Sequence, residues 1–321
     1  MKLAIIGAGL IVHDFLTIAA QIPDLELVAI AGVPQDADTL ADFRSRYNIP
    51  KTFTDSNAAI TDPDVDTVYV AVPNSLHFTV SKQALLAGKN VICEKPFVPT
   101  RAEAETLKEL ADERGLLLIE AITNQYLENF TGIQSALPTI GTPRIVEFNY
   151  SQYSSRYDAF RQGTVLPAFN PAKGGGALMD LNIYNIHMVV GLFGKPTTVN
   201  YLPNIQRGVD TSGILTLTYP HMQAICIAAK DASAPVRSLI EGEDGTIIIN
   251  GPTNELAEYA VQKRGSEAQF QCLNQADHRM VAEFTRFSAL IANHDTAKVD
   301  AAFRHSADVL DVLTLAKAVM E

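Results

Sequence analysis

Apolar residues in the first third of the chain come in short unbroken runs, separated by longer stretches of helical period. Lys2 to Ile6, Leu25 to Ala31, Thr67 to Val72, Asn90 to Cys93 and Leu116 to Ala121 read as strands buried on both faces, the pattern of a parallel sheet. Between them lie predicted helices. One covers Leu10 to Ile22, one ends at Tyr47, and one continues to Ala87 before Gly88, with Asn74 or Ser75 as its cap. A fourth opens on the capping-box sequence Thr100-Arg101-Ala102-Glu103 and stops at Gly115. Strands alternating with helices over residues 1–121 predict a doubly wound parallel (Rossmann) sheet.

After Ala121 the pattern changes. Asn124 to Ala136 reads as a helix. Arg144 to Tyr153 then alternates, with Val146, Phe148, Tyr150 and Gln152 on one face and Ile145, Glu147, Asn149 and Ser151 on the other. Further strands are expected at Thr197 to Gln206, Gly213 to Tyr219, Gln223 to Ala229, Val236 to Glu241 and Thr246 to Asn250. Residues 122–321 thus read as an α+β domain with a large, mostly antiparallel open sheet, one face of which can meet a substrate or a partner subunit. Two helices close the chain. Met280, Phe284, Phe287 and Ile291 form one apolar stripe, and Phe303, Ala307 and Leu310 begin another, with the last helix free to pack back on the first domain.

Composition narrows the partners. A net charge of -11 argues against a nucleic-acid backbone or an anionic membrane surface. No apolar run is long enough to span a bilayer, and Leu3 to Ile6 leads into a glycine turn rather than a signal-peptide core. Cys93, Cys226 and Cys272 show neither metal spacing nor an even disulfide set, as expected of reduced thiols in the cytoplasm.

Candidate chemistry gathers at the strand ends. Gly7-Ala8-Gly9 stands between a strand and a helix, the context a dinucleotide fingerprint requires. Gly7 would permit the tight turn, and Gly9 would let a pyrophosphate approach the helix N-terminus at Leu10 and Ile11. Val12 occupies the position where a third Gly or Ala is usual. The second strand ends in Gly32-Val33-Pro34-Gln35-Asp36, where Asp36 or Asp38 either reaches an adenosine ribose or simply starts the next helix. No basic residue lies between Leu25 and Asp42, which favours NAD over NADP. Val72, Pro73, Asn74 and His77 follow the next strand and are placed beside the cofactor by the alternation, although Asn74 as a cap and His77 as a buried structural residue are the plainer readings.

Glu94-Lys95-Pro96 then brings a carboxylate and an amine to a strand's carboxyl end, where ligands bind in open α/β sheets. In the second domain, Gly174-Gly175-Gly176 leads into a helix carrying Asp180, Tyr184 and His187. Asp180 and Tyr184 share a helix face by their spacing. Asp180 lies among Leu178, Met179 and Leu181 and needs a partner, for which Lys95 is a candidate. Tyr184 reads equally well as a core tyrosine or as an acid, and His187 as structural.

Together these residues resemble the glucose-fructose oxidoreductase, inositol dehydrogenase and rhizopine-catabolism (Gfo/Idh/MocA) family, over essentially the whole chain and in the right order. The resemblance rests on Gly7-Ala8-Gly9, Val70-Ala71-Val72-Pro73-Asn74 with His77, Glu94-Lys95-Pro96, and the run from Gly174 to Tyr184. Many members carry His four residues after the Asp. Tyr184 resembles the branch that includes glucose-fructose oxidoreductase and dihydrodiol dehydrogenase. Departures are Val12, the second-strand end, and Gln125 where Arg is frequent.

The resemblance implies hydride transfer between nicotinamide C4 and a secondary carbinol of a sugar, polyol or cyclic diol, with no metal. It implies catalytic roles for Lys95, Tyr184 and Asp180, and cofactor contacts from Glu94 and Lys95. A base must take the hydroxyl proton. Desolvation and the nicotinamide cation would lower the Lys95 pKa while Glu94 and Asp180 oppose that, so Tyr184 stays a competing acid/base or substrate orienter. The expected assembly is a homo-oligomer, dimer or tetramer, through the C-terminal sheet. A second reading is a non-catalytic dinucleotide-binding sensor of the same fold; the presence of Lys95, Asp180 and Tyr184 favours the enzyme.

Overall fold

A computed structural model describes residues 1–319. The chain forms two compact units, one of Met1–Ala121 with Glu283–Ala307 and one of Ile122–Ala282 with the chain from Asp308 on.

In the first unit β1 (Lys2–Ile6), α1 (Leu10–Ile18), β2 (Glu26–Ala31), α2 (Ala37–Tyr47), β3 (Lys51–Phe53), α3 (Ser56–Ile60), β4 (Thr67–Val70), α4 (His77–Leu86), β5 (Asn90–Glu94), α5 (Arg101–Glu113) and β6 (Leu118–Ala121) alternate; β3 and α3 were not among the expected elements. The six strands run in the order β3-β2-β1-β4-β5-β6, every pair parallel. Strand order therefore reverses between β1 and β4, the switch point at which a doubly wound sheet opens its ligand crevice. Thr100 caps α5 by accepting from the Glu103 amide while Glu103 reaches back, the capping box the sequence spelled out. Elsewhere the boundaries moved. β4 stops at Val70, and a 3₁₀ turn at Asn74–Leu76 precedes α4. The N-cap positions are Pro73 and Leu76, so neither Asn74 nor Ser75 caps that helix.

The core of this unit includes the rings of Phe15, Tyr69 and Phe284, with Phe284 4.3 Å from Phe15 and 5.1 Å from Tyr69. Phe284 comes from the C-terminal part of the chain and is fully buried, a burial that contributes on the order of 1.5–3 kcal/mol. Ser288 adds a hydrogen bond to the Pro23 carbonyl, and Phe303 stacks edge-on to Phe97.

In the second unit α6 (Glu128–Ala136), β7 (Pro143–Ser151), α7 (Tyr157–Arg161) and α8 (Ile183–Phe193) lead into β8 (Thr198–Gln206), β9 (Val209–Thr218), β10 (Gln223–Ala229), β11 (Arg237–Gly242), β12 (Gly245–Asn250), β13 (Glu258–Lys263) and β14 (Phe270–Gln271). The eight strands are ordered β14-β13-β12-β11-β7-β10-β9-β8, with only β7 and β10 parallel. The alternation read in β7 holds up to Tyr150, with Val146 and Phe148 fully buried and Ile145 exposed; it fails at the strand's end, where Ser151 is buried and Gln152, beyond β7, is exposed. The helix expected from Asn124 is a 3₁₀ turn at Thr123–Gln125 followed by α6.

The closing helices are α9 (Arg279–Ala292) and α10 (Thr296–Lys317), and both pass from one unit to the other along their length. Met280, Phe284 and Phe287 are buried as expected, but Leu290 rather than Ile291 completes the stripe. No helix among the described residues is long and apolar enough to cross a membrane.

Candidate functional site

The carboxyl ends of β1, β4 and β5 lie side by side in the first unit. Gly7, at φ +130°, donates its N–H to the Ala31 carbonyl, and a Cβ built there would lie 2.2 Å from the Ala71 carbonyl oxygen. Gly7 is thus demanded by the protein's own backbone, at the place where β1 passes the end of β4. Gly9 is different. Its φ of -80° suits any residue, it is the N-cap of α1 without a side-chain cap, and a Cβ there would meet no atom within 4 Å. That open space over a helix N-terminus fits a pyrophosphate, with Leu10 exposed and Ile11 half-buried beside it. Val12 is fully buried on the inner face of α1. At the end of β2, Asp36 Oδ2 accepts from the Val33 amide at 3.0 Å, so this carboxylate braces its own loop, while Asp38 lies in the first turn of α2.

His77 joins the next two strand ends. It is fully buried; Nδ1 lies 2.9 Å from the Pro96 carbonyl oxygen and 3.2 Å from that of Phe97, and Nε2 lies 2.9 Å from that of Val72. Burial lowers its pKa against the opposing pull of those carbonyls. With both ring nitrogens facing main-chain oxygens, His77 supports the Val72-Pro73 and Pro96-Phe97 turns.

Lys95 follows β5 on a backbone fixed from several directions. Tyr69 donates a 2.5 Å hydrogen bond to Glu94 Oε1, the Lys95–Pro96 peptide is cis, and the Phe97 amide donates to Glu120 Oε1 at 3.0 Å. From Val91 to Val98 every residue is buried except Lys95, which is half-buried. The sequence pointed to Lys95 but not to Tyr69, His77 and Glu120 as its supports.

In the second unit the predicted glycine-rich helix begins as a π-helical turn, Leu178–Asn182, before α8. Such turns frequently occur at functional sites. A Cβ at Gly175 would lie 2.6 Å from the Pro167 carbonyl oxygen, and one at Gly176 would lie 2.0 Å from Asp210 Oδ1. Asp210 in turn accepts from the Leu178 amide and the Tyr201 hydroxyl, each at 2.7 Å. The glycines therefore serve the seating of this turn on its own unit.

Asp180, with 39% of its side chain exposed, meets Lys230 Nζ at 2.7 Å through Oδ2. Lys230 is thus a cation in contact with this carboxylate at Oδ2. Nothing in the sequence marks Lys230, a single lysine after a strand.

Tyr184 is buried, with its ring 5.9 Å from that of Tyr150, and its carbonyl accepts from Asn124 Nδ2 at 2.9 Å. Gln125 Nε2 donates to the His187 carbonyl at 3.0 Å, and a Cβ at Gly191 would lie 2.4 Å from Gln125 Oε1. Where Arg is frequent in the resembled family, Gln125 here braces α8. Among the described residues no group of three His, Cys, Asp or Glu side chains could hold a metal ion.

The sequence pattern of the GFO/IDH/MocA oxidoreductase family, NAD-binding Rossmann fold, matches residues 1–122, and that of the family's C-terminal domain matches residues 138–248. The scyllo-inositol 2-dehydrogenase (NADP(+)) of Bacillus subtilis is 38% identical over 253 residues, 78% of this chain and 76% of its own. The chain belongs to the Gfo/Idh/MocA oxidoreductase family. As a family member it is an NAD(P)-dependent oxidoreductase acting on CH–OH groups, and the sensor reading gives way to the enzyme. Trans-1,2-dihydrobenzene-1,2-diol dehydrogenase of Mus musculus is 26% identical over 298 residues, covering 87% of this chain and 86% of that one. The fold is shared with a 3-ketoreductase of Actinomadura kijaniata crystallised with NADP and TDP-benzene, at a TM-score of 0.85, 24% identity and 98% coverage of both chains.

Proposed function

We propose that the protein moves hydride between C4 of NAD(P) and the carbinol carbon of a sugar, polyol or cyclic diol, with Lys95 moving the hydroxyl proton. The observation that carries this is the placement of Lys95, the one half-buried residue from Val91 to Val98, on a backbone held by Tyr69, His77 and Glu120. A reacting group gains most from such fixing, because misplacement by about 1 Å can cost ~10²-fold in rate.

In the oxidative direction the neutral Lys95 amine takes the hydroxyl proton as the carbon–oxygen bond becomes double and hydride departs. In reduction the Lys95 ammonium returns it. Bound NAD(P) supplies the hydride acceptor or donor. Gly7, Gly9, Leu10 and Ile11 would hold its pyrophosphate end, and Val72, Pro73, Asn74, Glu94 and Lys95 the part nearer the reaction. Asp180 accepts a hydrogen bond from substrate, and Tyr184 orients it. The sugar, polyol and diol classes are supported by relatives named for scyllo-inositol, trans-1,2-dihydrobenzene-1,2-diol and D-xylose.

We also infer NAD as the preferred cofactor, since the stretch from Leu25 to Asp42 offers no cation for a 2′-phosphate. Two relatives carry NADP(+) in their names, and the ratio of the two dissociation constants decides between the cofactors. For assembly we infer a homo-oligomer, dimer or tetramer, through the outer face of the eight-stranded sheet. Leu202, Ile214 and Ile227 stand in one cross-strand row there, with Leu202 57% and Ile214 42% exposed. The free cysteines, two of them buried, support a cytoplasmic setting.

The testing experiment assays scyllo-inositol, D-xylose and trans-1,2-dihydrobenzene-1,2-diol with NAD and NADP, and their ketones with the reduced cofactors. Turnover of at least one is expected; none in either direction would contradict the substrate class.

A further inference from the structure

Lys230 follows the last residue of β10 and is 2% exposed, a burial rare for lysine. Its ammonium donates to the Ala168 carbonyl at 2.6 Å and to Asp180 Oδ2 at 2.7 Å, and it lies 4.6 Å from the centre of the Phe169 ring. Asp180 keeps 39% of its side chain exposed while Lys230 does not reach solvent. The cation is enclosed, and the carboxylate is the member of the pair that can meet a ligand.

We propose that Lys230 is a positioning residue for the reaction: it fixes Asp180 as an ionised acceptor and ties it to the aromatic segment that carries Phe169. A buried ammonium is costly unless paired and hydrogen-bonded. The pair therefore favours the carboxylate over the carboxylic acid and holds one of its oxygens in place. A carboxylate so held accepts a hydrogen bond and cannot donate one. It selects substrates that present a hydroxyl there, which deepens the reading of Asp180 given above and rests on it.

Phe169 packs with Tyr157, Phe160 and Val209. The Pro167 carbonyl lies where a side chain on Gly175 would stand, within the glycine run that precedes the π-helical turn. Lys230 thus pins two segments on either side of that run, Ala168-Phe169 and Asp180, to the end of one strand. The anchoring is a plain mechanical link: bury the charge, and both segments must come to it.

The test uses the full-length enzyme with the panel substrate the wild type turns over fastest. Lys230→Met should lower kcat and raise the substrate KM, a combined loss between about tenfold and ~10²-fold in kcat/KM. Cofactor affinity, followed by fluorescence, should not change. Asp180→Asn should be impaired by itself, and Lys230→Met in that background should add little, because both act through one carboxylate. Lys230→Arg should recover part of the loss.

Wild-type kinetics in folded Lys230→Met, or losses that multiply in the double variant, would overturn the proposal while leaving Asp180 in place. A silent Asp180→Asn would overturn the reading of Asp180 itself and this proposal with it. Should Lys230→Met not fold, ¹⁵N-lysine spectra of the wild type and Asp180→Asn decide the matter. An exchange-protected ammonium signal that shifts or vanishes in Asp180→Asn supports the pair, and its absence from the wild type contradicts it.

Discussion

His77 and Pro96 are joined across two strand ends, the imidazole Nδ1 2.9 Å from the Pro96 carbonyl oxygen and Nε2 2.9 Å from the Val72 carbonyl oxygen on the other side. Burial depresses the His77 pKa in the folded chain. The unfolded chain then binds this proton more readily, so the stability contributed by neutral His77 is complete above about pH 6.5 and is lost as pH falls through the folded value. His77→Gln should cost about 1–3 kcal/mol near neutral pH through the polar groups it strands. Urea unfolding at a series of pH values checks this. The gap between wild type and variant should narrow as the solution becomes acidic, and a gap independent of pH would contradict the assignment.

The two glycines of the first turn should respond differently to substitution. Gly7→Ala forces a Cβ against the Ala71 carbonyl at a positive φ, and should destabilise the fold by about 1–3 kcal/mol or more. Gly9→Val meets no protein atom at Cβ and should leave stability near wild type. It should weaken NAD(P) binding by at least about tenfold, a loss of ~1.4 kcal/mol. Thermal unfolding and calorimetric titration of both variants separate the two roles; unchanged cofactor affinity in folded Gly9→Val would remove the pyrophosphate assignment.

Cofactor choice should follow the loop after β2. The account predicts a lower dissociation constant for NAD than for NADP, measured by fluorescence titration at one ionic strength. Tighter NADP binding would show that the 2′-phosphate finds a cation outside the stretch from Leu25 to Asp42.

Replacing Leu202 or Ile214 by Glu places a charge in the exposed apolar row of the large sheet. Sedimentation should show an oligomer for the wild type and a smaller species for the variants. A monomeric wild type would rule out assembly through this face.

The sequence made some of this legible because the signals are local. Lys2 to Ile6 followed by Gly7 fixes a strand and its turn within a few residues, and Thr100 with Glu103 declares a helix start by chemistry alone. Glu94-Lys95-Pro96 stood out because charged residues follow a buried strand directly. What stayed hidden depends on distant partners. Lys230 meets Asp180 from 50 positions away, and Asn124 reaches the Tyr184 carbonyl from 60. Short or weakly patterned strands such as Lys51–Phe53, Glu258–Lys263 and Phe270–Gln271 take their conformation from neighbours in the sheet. The π-helical turn under Asp180 has no sequence period of its own to betray it.

The most direct test of the central claim is the single-turnover rate of hydride transfer in Lys95→Met, measured beside Tyr184→Phe with saturating cofactor. If Lys95 moves the proton, its loss should slow the step by roughly 10²–10⁴-fold. Cofactor affinity should stay close to wild type, and Tyr184→Phe should cost less. A Lys95→Met enzyme that transfers hydride near the wild-type rate, or a Tyr184→Phe enzyme that is the slower of the two, would contradict the account.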